Sequence, residues 1–90
     1  MNAQTVWKWT LTARDLTTIR VPKGGKLLSV HEQRGQICLW ALVDPQKETE
    51  ERTIRIAGTG HILANGKFQY LGSVHLDAGQ LVFHVFECLP

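Results

Sequence analysis

The order of apolar and polar residues along the chain predicts short β-strands, and the most apolar stretch gives the clearest one. Residues 35–44 read GQICLWALVD and lie between two turn signals, Arg34-Gly35 and Asp44-Pro45. A short apolar run bounded in this way is typical of a strand covered on both faces. We therefore expect a central strand from about Ile37 to Val43, in the middle of a sheet.

The other strands are indicated by alternation of apolar and polar residues, or by short apolar runs between turns rich in Gly, Pro and Asn. They cover residues 6–12, 17–21, 27–33, 53–57, 68–76 and 81–88, whereas residues 44–52 are polar and predict an exposed loop. No segment shows convincing helical periodicity. The pattern predicts one all-β domain over residues 1–90, an antiparallel sandwich or small barrel of about seven short strands.

The turn at Arg34-Gly35 also predicts how strands pair. If two residues form this turn, Gln33 lies opposite Gln36, and each step outward adds one cross-strand pair. The same reasoning gives the pairs of the last hairpin, between residues 68–76 and 81–88. Each hairpin then has an aliphatic face for the core and a second face with aromatic, Ser and His side chains. The predicted pairs are Val30–Leu39, His31–Cys38, Ser29–Trp40, Leu28–Ala41, Val74–Phe83 and Leu76–Leu81.

Composition narrows the class of protein. Hydrophobic residues make up 43% of the chain, and the net charge of +2 comes from dispersed Lys and Arg without a basic block. Nucleic acid is therefore not expected as a partner. The sequence shows no signal peptide and no run of about 20 apolar residues, so we expect no membrane association. Two cysteines do not make a disulfide framework, and we expect a cytoplasmic protein with free thiols and no cofactor.

His31 and Cys38 are the pair that comes nearest to a reactive site. A thiol beside an imidazole can form a nucleophilic thiolate, but no third orienting group or oxyanion site is indicated. A buried thiol beside a histidine is the interpretation we favour, and no enzyme activity is expected. His75 and His84 also lie on the second faces, yet no short Cys or His spacing predicts a metal site.

The loop Gly58-Thr59-Gly60-His61 is the candidate ligand site. Its glycines allow successive N–H groups to converge on an anion, and Thr59 and His61 add side-chain donors. Strand parity places Arg55 outside the aliphatic core, where its guanidinium could bind a phosphate. The alternative is a plain bend at the end of a strand.

Four large aromatic residues are candidates for an interaction surface: Trp7, Trp9, Trp40 and Phe86. Stacking of nucleobases on them would need a basic groove, and the charge is close to balance. Core packing or a protein interface is the interpretation that fits better.

Five pieces of sequence spread over nearly the whole chain point to a family. They are VWKW (6–9), VPKG (21–24), CLWALVD (38–44), GTGH (58–61) and HVFE (84–87). With these pieces the chain resembles a family of small proteins encoded by bacteriophages and prophages and known as a domain of unknown function. The resemblance implies a phage or bacterial origin and a free-standing module, and it supplies no catalytic residues.

These observations leave three functions open. The first is a binding module in the bacterial host cell that antagonises or modulates a host defence factor by protein contact. The second is a protein that sequesters a nucleotide-like anion, and the third is a minor phage structural or assembly protein. Exposed strand edges and apolar second faces lead us to expect a homodimer.

Overall fold

In the computed structural model, which describes residues 3–12 and 15–90, the chain forms two antiparallel sheets. The strands are β1 (Thr5–Leu11), β2 (Leu16–Pro22), β3 (Lys26–Gln33), β4 (Gln36–Val43), β5 (Thr49–Gly58), β6 (Lys67–Leu76) and β7 (Leu81–Leu89). A three-stranded sheet has the order β1-β4-β3, and a four-stranded sheet has the order β2-β5-β7-β6. The sheets pack face to face, which confirms the all-β prediction and identifies a sandwich.

The core lies between the two sheets, and strand alternation explains its composition. β4 is the middle strand of its sheet and buries every second side chain, from Ile37 to Val43, against the other sheet. On the neighbouring strand β1, Trp7 and Trp9 share this inner face, are half-buried and pack against the core. The opposing layer comes from Ile19, Val21, Ile54, Ile56, Val74 and Val85.

The predicted register of the β3–β4 hairpin is confirmed at its turn. Arg34 and Gly35 both have positive φ, 54° and 78°, as a two-residue type I′ turn requires. Val30 therefore lies opposite Leu39. The observed pairs also include His31–Cys38, Ser29–Trp40, Val74–Phe83 and Leu76–Leu81.

The predicted pair Leu28–Ala41 is wrong because the ladder shifts by one residue between Leu27 and Ser29. Leu27 is the residue opposite Ala41, and it packs against the core, whereas Leu28 is exposed. A β-bulge of this kind inserts one unpaired residue into a strand. The residues of β3 that precede the bulge therefore point to the opposite face from the one predicted. The hydrophobic sequence Leu27-Leu28 does not distinguish the two registers.

The predicted loop 44–52 is wrong over its second half. Residues 49–52 belong to β5, and their partners on β2 include Arg20 opposite Glu51. The charged side chains obscured this strand in the sequence, because several of them are held by ion pairs rather than by apolar burial. Arg20, for example, contacts Glu51 at 3.4 Å.

One side of the sandwich is closed where β3 lies against β6. Here Gly72, next to a second irregularity in the ladder between Tyr70 and Gly72, faces Val30 of the other sheet. A Cβ atom on Gly72 would lie only 2.7 Å from Val30 Cγ2, so the packing of the Val30 side chain against β6 leaves no room for a larger residue at position 72. Within the described residues no helix is long and apolar enough to cross a membrane.

Candidate functional site

The loop predicted to bind an anion forms a tight turn directly after β5. The N–H of His61 donates to the carbonyl of Gly58 at 3.0 Å, and the N–H of Gly58 donates to His61 Nδ1 at 3.2 Å. The imidazole thus folds back over Gly58, where a Cβ atom would lie 2.9 Å from its ring. Gly60 has a φ of +88°, and Thr59 and Gly60 are exposed at the tip of the turn.

Arg55 lies on the outer face of the four-stranded sheet, as strand parity predicts, but its guanidinium is already engaged. It donates to the carbonyl oxygens of Asp15, Ile56 and Ile62 at 3.1–3.2 Å, and it contacts the Asp15 carboxylate at 3.3 Å. Its side chain is only 13% exposed. Arg55 therefore ties β2 and the segment after His61 to the sheet, and an anion would have to compete with these bonds. The anion site stays a prediction.

The same outer face has an aromatic surface formed by Phe68, Tyr70 and Phe86. The Phe86 ring lies 5.9 Å from that of Phe68 and 5.5 Å from that of Tyr70. Next to it is an open groove of about 430 Å³ lined mainly by apolar atoms. The groove includes Leu16, Arg55, Ile62, Lys67, Phe68 and Cys88.

Cys88 is the thiol of this groove. Burial raises its pKa, the positive charge of Arg55 acts in the opposite direction, and the negative charge of Glu87 adds to the rise. The thiol is therefore favoured over the thiolate, and Cys88 does not have the character of an activated nucleophile.

Polar side chains form a continuous hydrogen-bonded chain on this face. His84 on β7 contacts Ser73 Oγ through Nδ1 and Thr59 Oγ1 through Nε2, both at 2.8 Å. Ser73 Oγ is in turn 2.7 Å from the hydroxyl of Tyr70. The sequence pattern placed Ser73 and His84 on one face without predicting their contact, although the confirmed pair Val74–Phe83 makes them direct neighbours.

The four residues predicted as an interface do not form one patch. Trp7 and Trp9 lie on the inner face of β1, with their ring centroids 6.1 Å apart. Trp40 lies on the outer face of the three-stranded sheet, 6.0 Å from His31. Phe86 lies on the outer face of the four-stranded sheet. A single contact surface can therefore include Phe86 or Trp40, but not all four residues.

His31 and Cys38 are cross-strand neighbours, and the thiol is enclosed. Cys38 is buried although it lies on an outer face, and its sulfur is 3.8 Å from Thr10 Oγ1. Lys8 on β1 reaches across β4 to donate to Gln33 Oε1 of β3 at 2.8 Å, on the same face. This arrangement suits a structural thiol rather than a nucleophile.

An ion pair on the inner face of the four-stranded sheet was not predicted from the sequence. Arg52 donates through Nε and Nη2 to the two carboxylate oxygens of Glu87, the second bond being 2.8 Å long. Its Nη1 also donates to the carbonyl of Gly25 at 2.6 Å. The alternation of side chains along β5 already indicates that Arg52 lies on the inner face, because every second residue of a strand points to the same side, and Ile54 and Ile56 follow Arg52 at that spacing.

The Arg52–Glu87 pair is well shielded, with side chains 18% and 8% exposed. The hydrogen bonds to Glu87 raise the pKa of Arg52, against the opposing effect of burial. Arg52 is therefore permanently charged, and its role is to fasten the turn after β2 to the last strand.

Comparison with known proteins gives a family and no closer relative. No curated protein and no solved structure matches the chain. One family model covers residues 2–89. The chain therefore belongs to that family, which is described as a domain of unknown function, DUF7352.

Proposed function

We propose that this chain is a small phage- or prophage-encoded binding module that modulates a host factor, such as a defence protein, by protein contact in the bacterial cytoplasm. The supporting observation is the outer face of the four-stranded sheet, where an aromatic surface adjoins an apolar groove. Exposed apolar patches of this kind on small domains often mark interaction sites.

The aromatic surface has the properties of a contact anchor. Tyr70 is 57% exposed and Ile62 is 89% exposed, so large apolar groups face solvent on this side. The ring of Tyr70 is held by Phe86 and by the hydrogen bond of its hydroxyl to Ser73. Aromatic side chains that are already ordered lose little conformational freedom on binding, which favours them as hot spots.

The charge around the groove indicates the chemistry of the partner. Arg55 and Asp15 neutralise each other at 3.3 Å, which leaves the positive charge of Lys67 on the groove wall. A matching partner segment inserts one large apolar side chain into the groove and places an acidic residue near Lys67. We therefore propose a protein partner with an apolar anchor beside an Asp or Glu.

Site-specific photocrosslinking tests this proposal. A photoreactive phenylalanine replaces Ile62 in one variant and Leu28 in the control, because Leu28 is also exposed but lies on the other sheet. We expect a discrete protein adduct from position 62 in the bacterial host and none from position 28. The crosslinked protein is then identified, purified and titrated. Leu16→Glu and Tyr70→Ala should each weaken its binding about tenfold or more, as expected for hot spots.

The proposal is wrong if position 62 yields no adduct, or if both positions yield the same adducts. It is also wrong if the purified partner binds both Leu16→Glu and Tyr70→Ala with wild-type affinity. Far-UV circular dichroism of each variant separates a lost contact from a lost fold.

Sequestration of a nucleotide-like anion by Arg55 and residues 58–61 is the alternative ligand-binding function. The exposed turn tip with Thr59 and Gly60 favours it, whereas the engaged guanidinium of Arg55 does not. Calorimetric titration with mono-, di- and cyclic nucleotides tests this alternative. Heat of binding that disappears in His61→Ala would support nucleotide binding at the turn, and no heat with any nucleotide would exclude this alternative.

A role in virion assembly is the third alternative, and a large oligomer in solution would favour it.

We further propose that two copies pair through β1. Within the described residues, β1 has a hydrogen-bonded neighbour on one side only, and its ladder with β4 is regular from Thr5 to Leu11. It lacks Pro and Gly, and its one charge, Lys8, is bound to Gln33 across β4. Natural edge strands are usually protected from pairing by Pro, by bulges or by charged side chains. Because β1 has only the engaged Lys8, its edge is suited to pairing with another strand.

The other edges are better protected. β2 ends at Pro22 and has Arg20 at its edge, while β3 and β6 lie against each other and each has a ladder irregularity. Antiparallel pairing of β1 with β1 of a second copy creates a two-fold dimer with a continuous six-stranded sheet. Light scattering should therefore give about twice the chain mass of 10.1 kDa.

A pair of edge variants identifies the strand responsible. Adding lysines to β1 in Val6→Lys/Thr10→Lys should yield the monomer mass, whereas Thr18→Lys on β2 should leave the dimer intact. A wild-type protein that is monomeric at micromolar concentration would refute the dimer. Dissociation by the β2 variant alone would place the interface elsewhere.

A further inference from the structure

The hydrogen-bonded chain Tyr70–Ser73–His84–Thr59 brings a hydroxyl, an imidazole and an orienting group together. Ser73 Oγ lies 2.8 Å from His84 Nδ1, and His84 Nε2 lies 2.8 Å from Thr59 Oγ1. The residues come from β6, β7 and the turn after β5, so the fold itself assembles them. A nucleophile within hydrogen-bond reach of a base, with the base held by a third group, is the arrangement of an activated hydroxyl.

The numbers of donors and acceptors allow only two polarities, that is, two directions of donation along the hydrogen bonds that join Tyr70, Ser73, His84 and Thr59. A neutral imidazole has one N–H donor and one acceptor nitrogen, so its two partners cannot play the same role. In one polarity His84 donates from Nε2 to Thr59, and Ser73 donates its hydroxyl proton to Nδ1. The hydroxyl of Tyr70 then donates to Ser73 Oγ, which completes every bond in the chain. In this state Nδ1 is positioned to remove the Ser73 proton.

We propose that Ser73 is a nucleophile that accepts an acyl or phosphoryl group from an activated ester or fluoride. Ser73 Oγ attacks the electrophilic carbon or phosphorus atom, and its proton passes to His84 Nδ1. The bond to the leaving group breaks, and that group departs with its electron pair as an alkoxide, phenolate or fluoride. His84 returns the proton to solvent or to the leaving group, and the group stays on Ser73 until water removes it.

The surroundings of Ser73 suit a small apolar substrate. Tyr70 and Thr59 are exposed, and Ser73 and His84 are half-buried rather than sealed, so a reagent can approach. The rings of Tyr70 and Phe86 form an apolar surface beside the chain. The phenol of Tyr70, 2.7 Å from Ser73 Oγ, holds this hydroxyl in place beside the imidazole of His84. The substrate class is therefore an activated ester or fluoride with an apolar or aromatic group.

The protein contains an internal control for this test, because its sequence has two serines, Ser29 and Ser73. Ser29 is also half-buried on an outer sheet face, but it lies opposite Trp40. If the contact with His84 activates Ser73, a serine-directed reagent should distinguish the two. Serine-directed reagents also avoid confusion with the thiols.

The test is labelling of the full chain with diisopropyl fluorophosphate, followed by intact mass measurement and peptide mapping. We expect one phosphoryl group on Ser73, none on Ser29, loss of the label in Ser73→Ala and its retention in Ser29→Ala. His84→Asn should slow labelling about 100-fold, the usual contribution of a general base. p-Nitrophenyl acetate should give a burst of p-nitrophenolate with the same dependence on Ser73 and His84.

Because loss of His84 could disturb the fold, a second variant tests the same contact without removing it. Ser73→Cys places a thiol beside the imidazole, and it should react with iodoacetamide at least tenfold faster than Cys88 in the same molecule. The proposal is overturned if folded wild-type protein stays unlabelled in excess reagent, if the label is on Tyr70, or if Ser29 and Ser73 react equally. Equal alkylation rates of the introduced thiol and Cys88 would also overturn it.

Discussion

The contact between Gly72 and Val30 gives a quantitative test of how the two sheets meet. Gly72 has a φ of +154°, and an added Cβ atom would lie 2.7 Å from Val30 Cγ2, well inside van der Waals contact. Both residues belong to the strands that close one side of the sandwich, β6 and β3. The substitution Gly72→Ala should therefore destabilise the fold, and removal of the Val30 methyl groups should relieve part of this effect.

The expected magnitudes follow from the two causes. Overpacking in a filled core costs about 1–3 kcal/mol, and an unfavourable backbone conformation adds about 1–3 kcal/mol. Val30→Ala alone should cost about 2 kcal/mol, because two buried methyl groups and some packing are lost. In the double variant the steric part disappears. The sum of the single effects should thus exceed the double-variant effect by about 1–3 kcal/mol.

Urea unfolding followed by tryptophan fluorescence measures these differences in the free energy of unfolding. Gly24→Ala is the control for a positive φ without a steric contact: Gly24 has a φ of +80°, compared with +154° at Gly72, and no atom lies within 4 Å of the position that an added methyl group would take. Additive effects of Gly72→Ala and Val30→Ala, within about 0.5 kcal/mol, would refute the proposed contact. A Gly72→Ala effect no larger than that of the control would refute the steric cause.

Three further predictions concern the ion pair and the thiols. Glu87→Ala should cost about 3–5 kcal/mol in urea unfolding because it leaves Arg52 charged and shielded, whereas Arg52→Met/Glu87→Leu should cost clearly less; equal costs would contradict this. At pH 8 a thiol reagent should reach Cys38 only after unfolding, since that thiol is buried, and should react with Cys88 more slowly than with free cysteine. Burial raises the pKa of Cys88, so the contribution of this thiol to the free energy of unfolding is complete below the ordinary thiol pKa of about 8.5 and is lost as pH rises above that value. Cys88→Ala should remove this dependence of the free energy of unfolding on pH.

The sequence by itself determined the strands and much of their pairing. Apolar alternation has the same period of two as the side chains of a strand, so faces can be assigned wherever one face is buried. The turn at Arg34-Gly35 fixed the register of its hairpin, because a two-residue turn leaves one way to pair the strands. The contact of Ser73 with His84 was also within reach, since it follows from the register of the last hairpin.

The tertiary structure decided where strands distant in sequence come together. Arg52 and Glu87 are 35 residues apart, and only the pairing of β5 with β7 and the packing of the second sheet make them partners. Thr59 joins His84 for the same reason. The bulge at Leu28 is not specified by the local apolar pattern, because Leu27 and Leu28 are equally apolar. Side-chain period assigns a face within one strand, whereas the choice of neighbour depends on burial and geometry summed over the whole sandwich.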